Sequence, residues 1–217
     1  MAISAFFRPP VKKAPTRAER IRNAAMKCFA EQGIASTSIR AVAEDAGVSV
    51  GLVQHHFGNK AGLVEAVDEY VLQVFGTVAE SAPVLDPLPA KSSMDGVSGR
   101  FAKLLSEHPE AANYVARALV EGGEIGAVIF DGLLEISMAQ RDLYIAHGLG
   151  RPDLDPFWGA MNAMILRVGA MILRPHIDRH LAPEQFWSPA QLERWDTAVA
   201  TLIRKGQFRQ GYDDNDS

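Results

Sequence analysis

The chain has 217 residues, 47% of them apolar, a formal net charge of −4 and one cysteine, Cys28. These values fit a globular protein with one or two cores, exclude an intramolecular disulfide and do not by themselves suggest a nucleic-acid binder. Residues 157–173, the most apolar segment, include Asn162 and Arg167 and are too short to cross a bilayer comfortably, so we expect a buried helix there and no membrane partner.

The charge is unevenly distributed along the chain. Residues 1–65 hold nine Lys/Arg and five Asp/Glu, a net charge of +4. The remaining residues hold thirteen Lys/Arg and twenty-one Asp/Glu, a net charge of −8. A basic end on an acidic body is what DNA binding at one end of a protein requires. The alternative is chance fluctuation over 65 residues.

Both ends of the chain are predicted to lack fixed structure. Residues 1–15 are rich in proline and basic side chains and are predicted to be a flexible basic arm, and residues 211–217 a disordered acidic tail. The arm has no sustained apolar run, so it does not resemble a secretory signal, and a single cysteine is compatible with a reducing compartment. We therefore expect a cytoplasmic protein.

Between these ends the apolar residues follow helical spacing, and no alternating strand pattern appears. Four helices are predicted in the first third of the chain, with N-terminal caps at Thr16, Ser38, Ser49 and Asn59. Gly33 is placed for a left-handed cap on the first of them. Five more helices are predicted near 96–107, 109–121, 124–147, 155–174 and 189–206. The expected fold is therefore all-α with about nine helices.

Residues 38–60 contain two short predicted helices that are separated by a turn at Gly47-Val48. Such a turn sets the second helix at a steep angle to the first, so that the second can enter the major groove of DNA while the first crosses the backbone. On the second helix, Val53 and Phe57 are spaced to face a small core. The outer side is expected to hold Val50, Gly51, Leu52, Gln54 and His55.

The outer residue types suit DNA. Gln54 can form two hydrogen bonds to adenine, and Val50 or Leu52 can contact a thymine methyl group. Ser38, Ser49, Lys60 and the backbone N–H groups at the helix starts suit phosphates. The alternative is an ordinary helical hairpin with a solvated outer side.

Residues 16–65 resemble the DNA-binding domain of the TetR family. The run ERIRNAAMKCFAEQGIASTSIR is followed by AVAEDAGVSVGLVQHHFGNKAGLVEAV, with the patterns F-x-E-x-G, T-S-I-R-x-V-A-x-x-A-G-V-S and H-H-F-x-N-K. The resemblance implies a helix-turn-helix domain over 16–62 and a helical ligand-binding and dimerisation domain over 63–210. It also implies base or phosphate contacts from Ser38, Arg40, Val50, Gly51, Leu52, Gln54, His55, His56 and Lys60.

The chain departs from the family pattern on the second helix. The family usually has a polar or basic residue at Val50, Thr at Leu52 and Tyr at Gln54. Since the Tyr hydroxyl normally serves a phosphate, Gln54 is expected to make a different contact. The operator sequence therefore does not follow from the resemblance.

The resemblance also implies a homodimer and a small-molecule effector. The helices near 155–174 and 189–206 are expected to pair with their copies as a four-helix bundle, and the first of them is apolar on more than one face. The alternative is a fully buried monomer core. A ligand cavity is expected to be lined by Phe75, Phe101, Tyr114, Phe130, Met138 and Trp158, each of which could instead be plain core; their aromatic and Met-rich character favours a mostly apolar ligand.

The sequence thus predicts a homodimeric repressor that binds a palindromic operator on double-stranded DNA and is released by an effector, with no catalytic residue, metal or cofactor. Two alternatives stay open. One is a helical metal-dependent enzyme using His176 and His180, which are four residues apart. The other is a constitutive DNA binder without a ligand.

Overall fold

The computed structural model describes residues 15–80 and 97–208, and within them it forms ten helices and no strand. The helices are α1 (Arg17–Gln32), α2 (Ile39–Ala46), α3 (Val50–Phe57), α4 (Lys60–Glu80), α5 (Val97–Glu107), α6 (Pro109–Glu121), α7 (Glu124–Ala146), α8 (Pro156–Ile172), α9 (Arg174–Leu181) and α10 (Pro189–Gln207). The all-α prediction is confirmed. Except for Pro15, the predicted arm over 1–15 lies outside the described residues, as does the predicted tail over 211–217.

The sequence prediction has a helix near 155–174 and none over α9. In the structure Pro175 lies in the first turn of α9, which is bent from α8 by 68°. Proline lacks an N–H donor and its ring clashes with the carbonyl four residues earlier, so it interrupts a continuing helix but is tolerated in the first turn of a new one. One predicted helix is therefore followed by a short second one.

The N-terminal helices begin and end where the sequence predicts, because their caps are local. The Thr16 hydroxyl accepts from the Glu19 N–H while the Glu19 carboxylate accepts from the Thr16 N–H, which completes the capping box. Gly47 ends α2 in the left-handed conformation, with φ 65° and ψ 41°. The left-handed cap predicted at Gly33 is wrong, since its φ is 86° but its ψ is 153°.

The core of α1–α3, which we call the head (residues 17–57), continues through α4 into the rest of the protein. The buried residues that the head and the start of α4 share are Ile21, Ala25, Cys28, Phe29, Val42, Ala43, Val53, Leu63 and Val67. The same cluster extends to residues of α4–α6, namely Val71, Phe75, Phe101, Leu105 and Val115. The predicted domain boundary after residue 62 thus falls in the first turn of α4.

The helices α5–α10, which we call the body (residues 97–207), contain a second apolar cluster between α7 and α8. Met161, Met164 and Val168 are buried there, with Phe130 packed against them. α8 also leaves large apolar side chains exposed, at Phe157, Trp158, Ile165 and Leu166. No single helix among the described residues is long and apolar enough to cross a membrane, although α8 and α9 together meet that length and composition across their bend.

Candidate nucleic-acid interface

α2, the turn at Gly47-Val48 and α3 form a helix-turn-helix. The Gly47 N–H donates to the Glu44 carbonyl at 3.1 Å, and the Val48 N–H donates to the Ala43 carbonyl at 2.9 Å. Ser49 begins α3 directly afterwards, with its hydroxyl accepting from the Leu52 N–H at 3.2 Å. The left-handed glycine reverses the chain in two residues, so α3 leaves α2 at once and has its own capped start.

The inner face of α3 is buried as the sequence predicts. Val53 is 1% exposed, and Phe57 and Val48 lie half-buried against the same core. Leu52, predicted as an outer residue, is also half-buried against this core, so only part of its side chain is available to DNA. The register of the helix is therefore set by Val53 and Phe57, four residues apart.

The outer face of α3 brings together most of the predicted contact residues. Gly51, Gln54, His55 and His56 are exposed, and Val50 is 38% exposed. No atom lies within 4 Å of the position that a Cβ would take at Gly51, so this face of the helix is open. From Val50 to Phe57 the helix has no Asp, Glu, Lys or Arg. No carboxylate of α3 would therefore repel phosphates, and a close approach to base edges is possible.

The predicted phosphate contacts lie at the helix starts around this face. Ser38 is exposed, and its hydroxyl accepts from the Ala41 N–H at 3.1 Å, which leaves the hydroxyl hydrogen free to donate. Arg40 is exposed on α2. Lys60 is half-buried, and its Nζ donates to the Ala35 carbonyl at 3.0 Å, so this ammonium also holds the α1–α2 loop.

One residue that positions the helix-turn-helix has no motif in the sequence. Arg20 of α1 donates from Nη2 to the Ala46 carbonyl at 2.8 Å, and so satisfies the C-terminal end of α2. Its partner lies 26 residues away. Only the packing of α1 on α2 shows this contact.

The six residues predicted to line a ligand cavity occupy three different environments. Phe75, Phe101 and Tyr114 are buried in the main core. Phe130 packs on the second cluster, and Met138 and Trp158 are 39% and 55% exposed. Within the described part of the chain, a different and small pocket of about 10 Å³, partly open to solvent, lies where α7, α8 and α10 meet. The common cavity stays a prediction.

The histidines of the enzyme alternative lie on α9, and both are exposed. Arg179 lies with its Nη2 3.0 Å from His176 Nδ1. Over residues 15–80 and 97–208, no three His, Cys, Asp or Glu side chains are grouped so that they could hold a metal ion.

α4 links the head to the body through polar contacts that the sequence does not indicate. The Tyr114 hydroxyl of α6 donates to Asp68 Oδ1 of α4 at 2.6 Å. Burial raises the pKa of the Asp68 carboxyl, although this hydrogen bond opposes the shift. On α1 the Arg22 guanidinium carbon lies 3.7 Å from the centre of the Tyr70 ring, and the Tyr70 hydroxyl lies 3.0 Å from His108 Nδ1.

Fold and surface together define a helix-turn-helix DNA-binding protein. The sequence profile of bacterial regulatory proteins of the tetR family matches residues 21–67. The HTH-type transcriptional regulatory protein RaaS of Mycobacterium tuberculosis is 31% identical over 155 residues, which cover 71% of this chain and 69% of that protein. The chain belongs to the TetR family of transcriptional regulators.

Other relatives are similar over less of their length or in fold alone. The HTH-type transcriptional regulator BetI 2 of Chromohalobacter salexigens is 29% identical over 50% of this chain and 53% of its own length, so the chain spans about half of that relative. The ketosteroid transcriptional regulator KstR2 of Mycobacterium tuberculosis shares the fold with a TM-score of 0.66 and 17% identity, over 91% of this chain and 98% of that one. SmeT of Stenotrophomonas maltophilia shares the fold with a TM-score of 0.63 and 20% identity, over 91% of this chain and 93% of that one.

Proposed function

We propose that this protein binds a near-palindromic operator as a homodimer, represses transcription there, and is released from DNA by a small, mostly apolar molecule. The observation that carries the proposal is the outer face of α3, which is exposed, free of carboxylates and flanked by Ser38, Arg40 and Lys60. Binding to chromosomal DNA would place the protein in the cytoplasm.

Base reading is assigned to the middle of α3. Gln54 is exposed there, and its side-chain amide carries a donor and an acceptor side by side, as a bidentate contact to adenine requires. Gly51 leaves room for the duplex to approach, and Val50 offers an apolar contact. Leu52, which is half-buried, can add a second apolar contact. The remaining predicted contacts are assigned to phosphates and positioning, and they come from Ser38, Arg40, Ser49, His55, His56 and Lys60.

Dimerisation is assigned to α8 and α10. α8 buries Met161, Met164 and Val168, yet leaves Phe157, Trp158, Ile165 and Leu166 between 42% and 55% exposed. Leu202 of α10 is 62% exposed. An apolar surface of this kind is costly in water and is typical of a subunit interface. Two copies related by a two-fold axis would present two α3 helices to half-sites about one helical turn apart.

Repression and release are supported by two structural relatives. SmeT is described as the repressor of a multidrug efflux pump, and KstR2 as a ketosteroid transcriptional regulator. The methionines of the second cluster suit a site that must change shape to admit an apolar molecule, since Met side chains repack easily. The effector must bind the DNA-incompetent state more tightly than the DNA-bound state.

The test is a salt series of binding to DNA from the region upstream of this protein's own gene, with a shuffled duplex of equal length as control. We expect a discrete palindromic footprint that survives near-physiological salt on the first DNA only. Equal binding to both duplexes that disappears with salt would contradict operator recognition. Once the footprint is established, its affinity is measured against a panel of apolar small molecules, and an affinity that no compound changes would indicate a constitutive DNA binder.

A further inference from the structure

The C-terminal end of α1 lacks a cation of its own. The last carbonyls of a helix have no N–H partner within the helix and carry a partial negative charge, which basic residues in the last turn often neutralise. α1 ends at Gln32 without a basic residue in its last turn. No basic side chain in the last turn of α1 therefore neutralises the carbonyls of Ala30 and Glu31.

Arg117 of α6, in the body, supplies the missing charge. Its Nη1 lies 3.4 Å from the carbonyl oxygens of both Ala30 and Glu31 and donates to them. Its Nε donates to Glu121 Oε1 at 2.6 Å, which holds the guanidinium plane in place. Each of these 3.4 Å hydrogen bonds is weak alone. Because Glu121 holds the planar guanidinium of Arg117 in place, the one cation interacts with both carbonyls at once.

Gly33 makes room for this contact. Its φ is 86°, in the region that favours glycine, and a Cβ at this position would lie 2.7 Å from Arg117 Nη2. Any other residue would therefore have to displace the guanidinium or change the backbone. Glycine at position 33 thus allows the Arg117 guanidinium to pack against the end of α1.

A second residue on the same face of α6 contacts both head and α4. Tyr114, one turn before Arg117, packs its ring 6.4 Å from that of Phe29 in α1 and donates to Asp68 in α4. Because α3 shares its buried core with α1 and α4, the position of α1 on α6 determines where α3 lies relative to the body.

We infer that Arg117 is a positioning residue for DNA binding: by holding the last turn of α1, it sets the angle of the head on the body and hence the separation of the two α3 helices in the dimer. The role rests on the proposed function, since it acts through operator spacing. Arg117 itself is assigned no DNA contact.

The first measurement needs no DNA. Spin labels at Glu44→Cys in the head and His180→Cys in the body, in a Cys28→Ala background diluted with unlabelled protein, report the head–body distance distribution. We expect a narrow distribution for the parent, a broader one for Arg117→Ala and an unchanged one for Arg179→Ala, an exposed arginine on α9. A distribution that Arg117→Ala leaves unchanged overturns the inference.

The second measurement compares affinities for operators whose half-sites are moved apart or together by one base pair. Arg117→Ala should reduce the preference for the natural spacing by roughly threefold to tenfold, the scale of one or two lost hydrogen bonds. Glu121→Gln, at an exposed site, should reduce the preference for the natural spacing by a smaller factor. This variant keeps the test valid if Arg117→Ala does not fold. An unchanged preference in both variants contradicts the inference, whereas a parent that binds no operator contradicts the proposed function alone.

Discussion

Two helices of this protein present charge-poor faces to the outside, and those faces hold different side chains. α3 has no Asp, Glu, Lys or Arg, and α8 has only Arg167. The outer face of α3 is small and polar, with Gly51, Gln54 and His55 exposed. The outer face of α8 is large and apolar, and includes Trp158. A lack of charge is thus shared, while the size and hydrogen-bonding capacity of the exposed groups differ.

The difference follows from how much each helix buries. α3 is eight residues long and fully buries only Val53, so it is a surface helix held in place by its neighbours. α8 is seventeen residues long and buries six residues, and its exposed apolar groups form a second face. Exposed polar groups can pair with base edges, whereas exposed Trp and Ile gain only by leaving water. The comparison teaches that two helices equally poor in charge can suit different partners, since the partner depends on the side chains that each leaves exposed.

The largest effect is expected from a charge on the outer face of α8. Ile165→Glu should weaken the dimer by roughly 4 kcal/mol, on the order of a thousandfold, because a two-fold interface loses a buried contact of roughly 2 kcal/mol twice. Sedimentation equilibrium measures the change. Val120→Glu introduces the same charge at a residue of α6 that is 67% exposed, and should leave the dimer intact. Equal dimer stability in both variants would place the interface elsewhere.

The next effect concerns base reading by α3. Gln54→Ala should cost roughly 1–3 kcal/mol on the operator and relax the preference at one base pair per half-site. Binding titrations with single-base operator variants measure both quantities. Gln185→Ala, at an exposed glutamine between α9 and α10, is the matched control and should bind as wild type does. A Gln54→Ala protein with unchanged sequence preference would show that the reading surface is misplaced.

A smaller effect is expected from Lys60, at the edge of the same surface. Lys60→Ala should weaken binding to all sequences alike and reduce the slope of log affinity against log salt by about 1, because one phosphate contact is lost. Lys103→Ala on α5, with a side chain 68% exposed, is the control and should leave the slope unchanged. If Lys60→Ala lowers thermal stability but keeps the slope, its bond to the Ala35 carbonyl is its main role.

The smallest effect concerns stability at the contact between α4 and the body. Burial raises the pKa of Asp68, so the carboxylate form is disfavoured in the folded protein. The stability linked to this group is present below its unfolded pKa and is lost as pH rises through the higher folded value. Asp68→Asn should therefore be more stable than wild type at neutral pH, by less than about 1 kcal/mol because the site is partly solvated.

Urea unfolding from acid to neutral pH measures this difference, which should disappear in acid, where Asp68 is protonated in both states. Tyr114→Phe is the companion variant, because it removes the hydrogen bond that favours the charged form. It should be less stable than wild type at neutral pH, since the buried carboxylate loses its donor. A difference for Asp68→Asn that does not change with pH would show that the effect is not electrostatic.

The sequence by itself determined the structure of the head. Caps and apolar spacing act within a few residues, so Thr16, Ser38, Gly47 and Ser49 define the helices locally, and Val53 and Phe57 define which side of α3 is buried. The exposed residues of α3 follow from that register, except that Leu52 packs partly inward. Motif spacing is reliable here because each signal and its structural result lie close together in the chain.

Only the tertiary structure decided how the head is held and what the body exposes. Arg117 meets the end of α1 more than 80 residues away, and Arg20 and Tyr114 likewise contact partners that no spacing rule connects. The sequence predicts that Tyr114, Phe130 and Trp158 line one cavity, which stays a prediction; only the structure shows that they lie in the main core, against the second cluster and on the surface. An apolar residue in a helix is compatible with several neighbours, and packing of the whole chain selects among them.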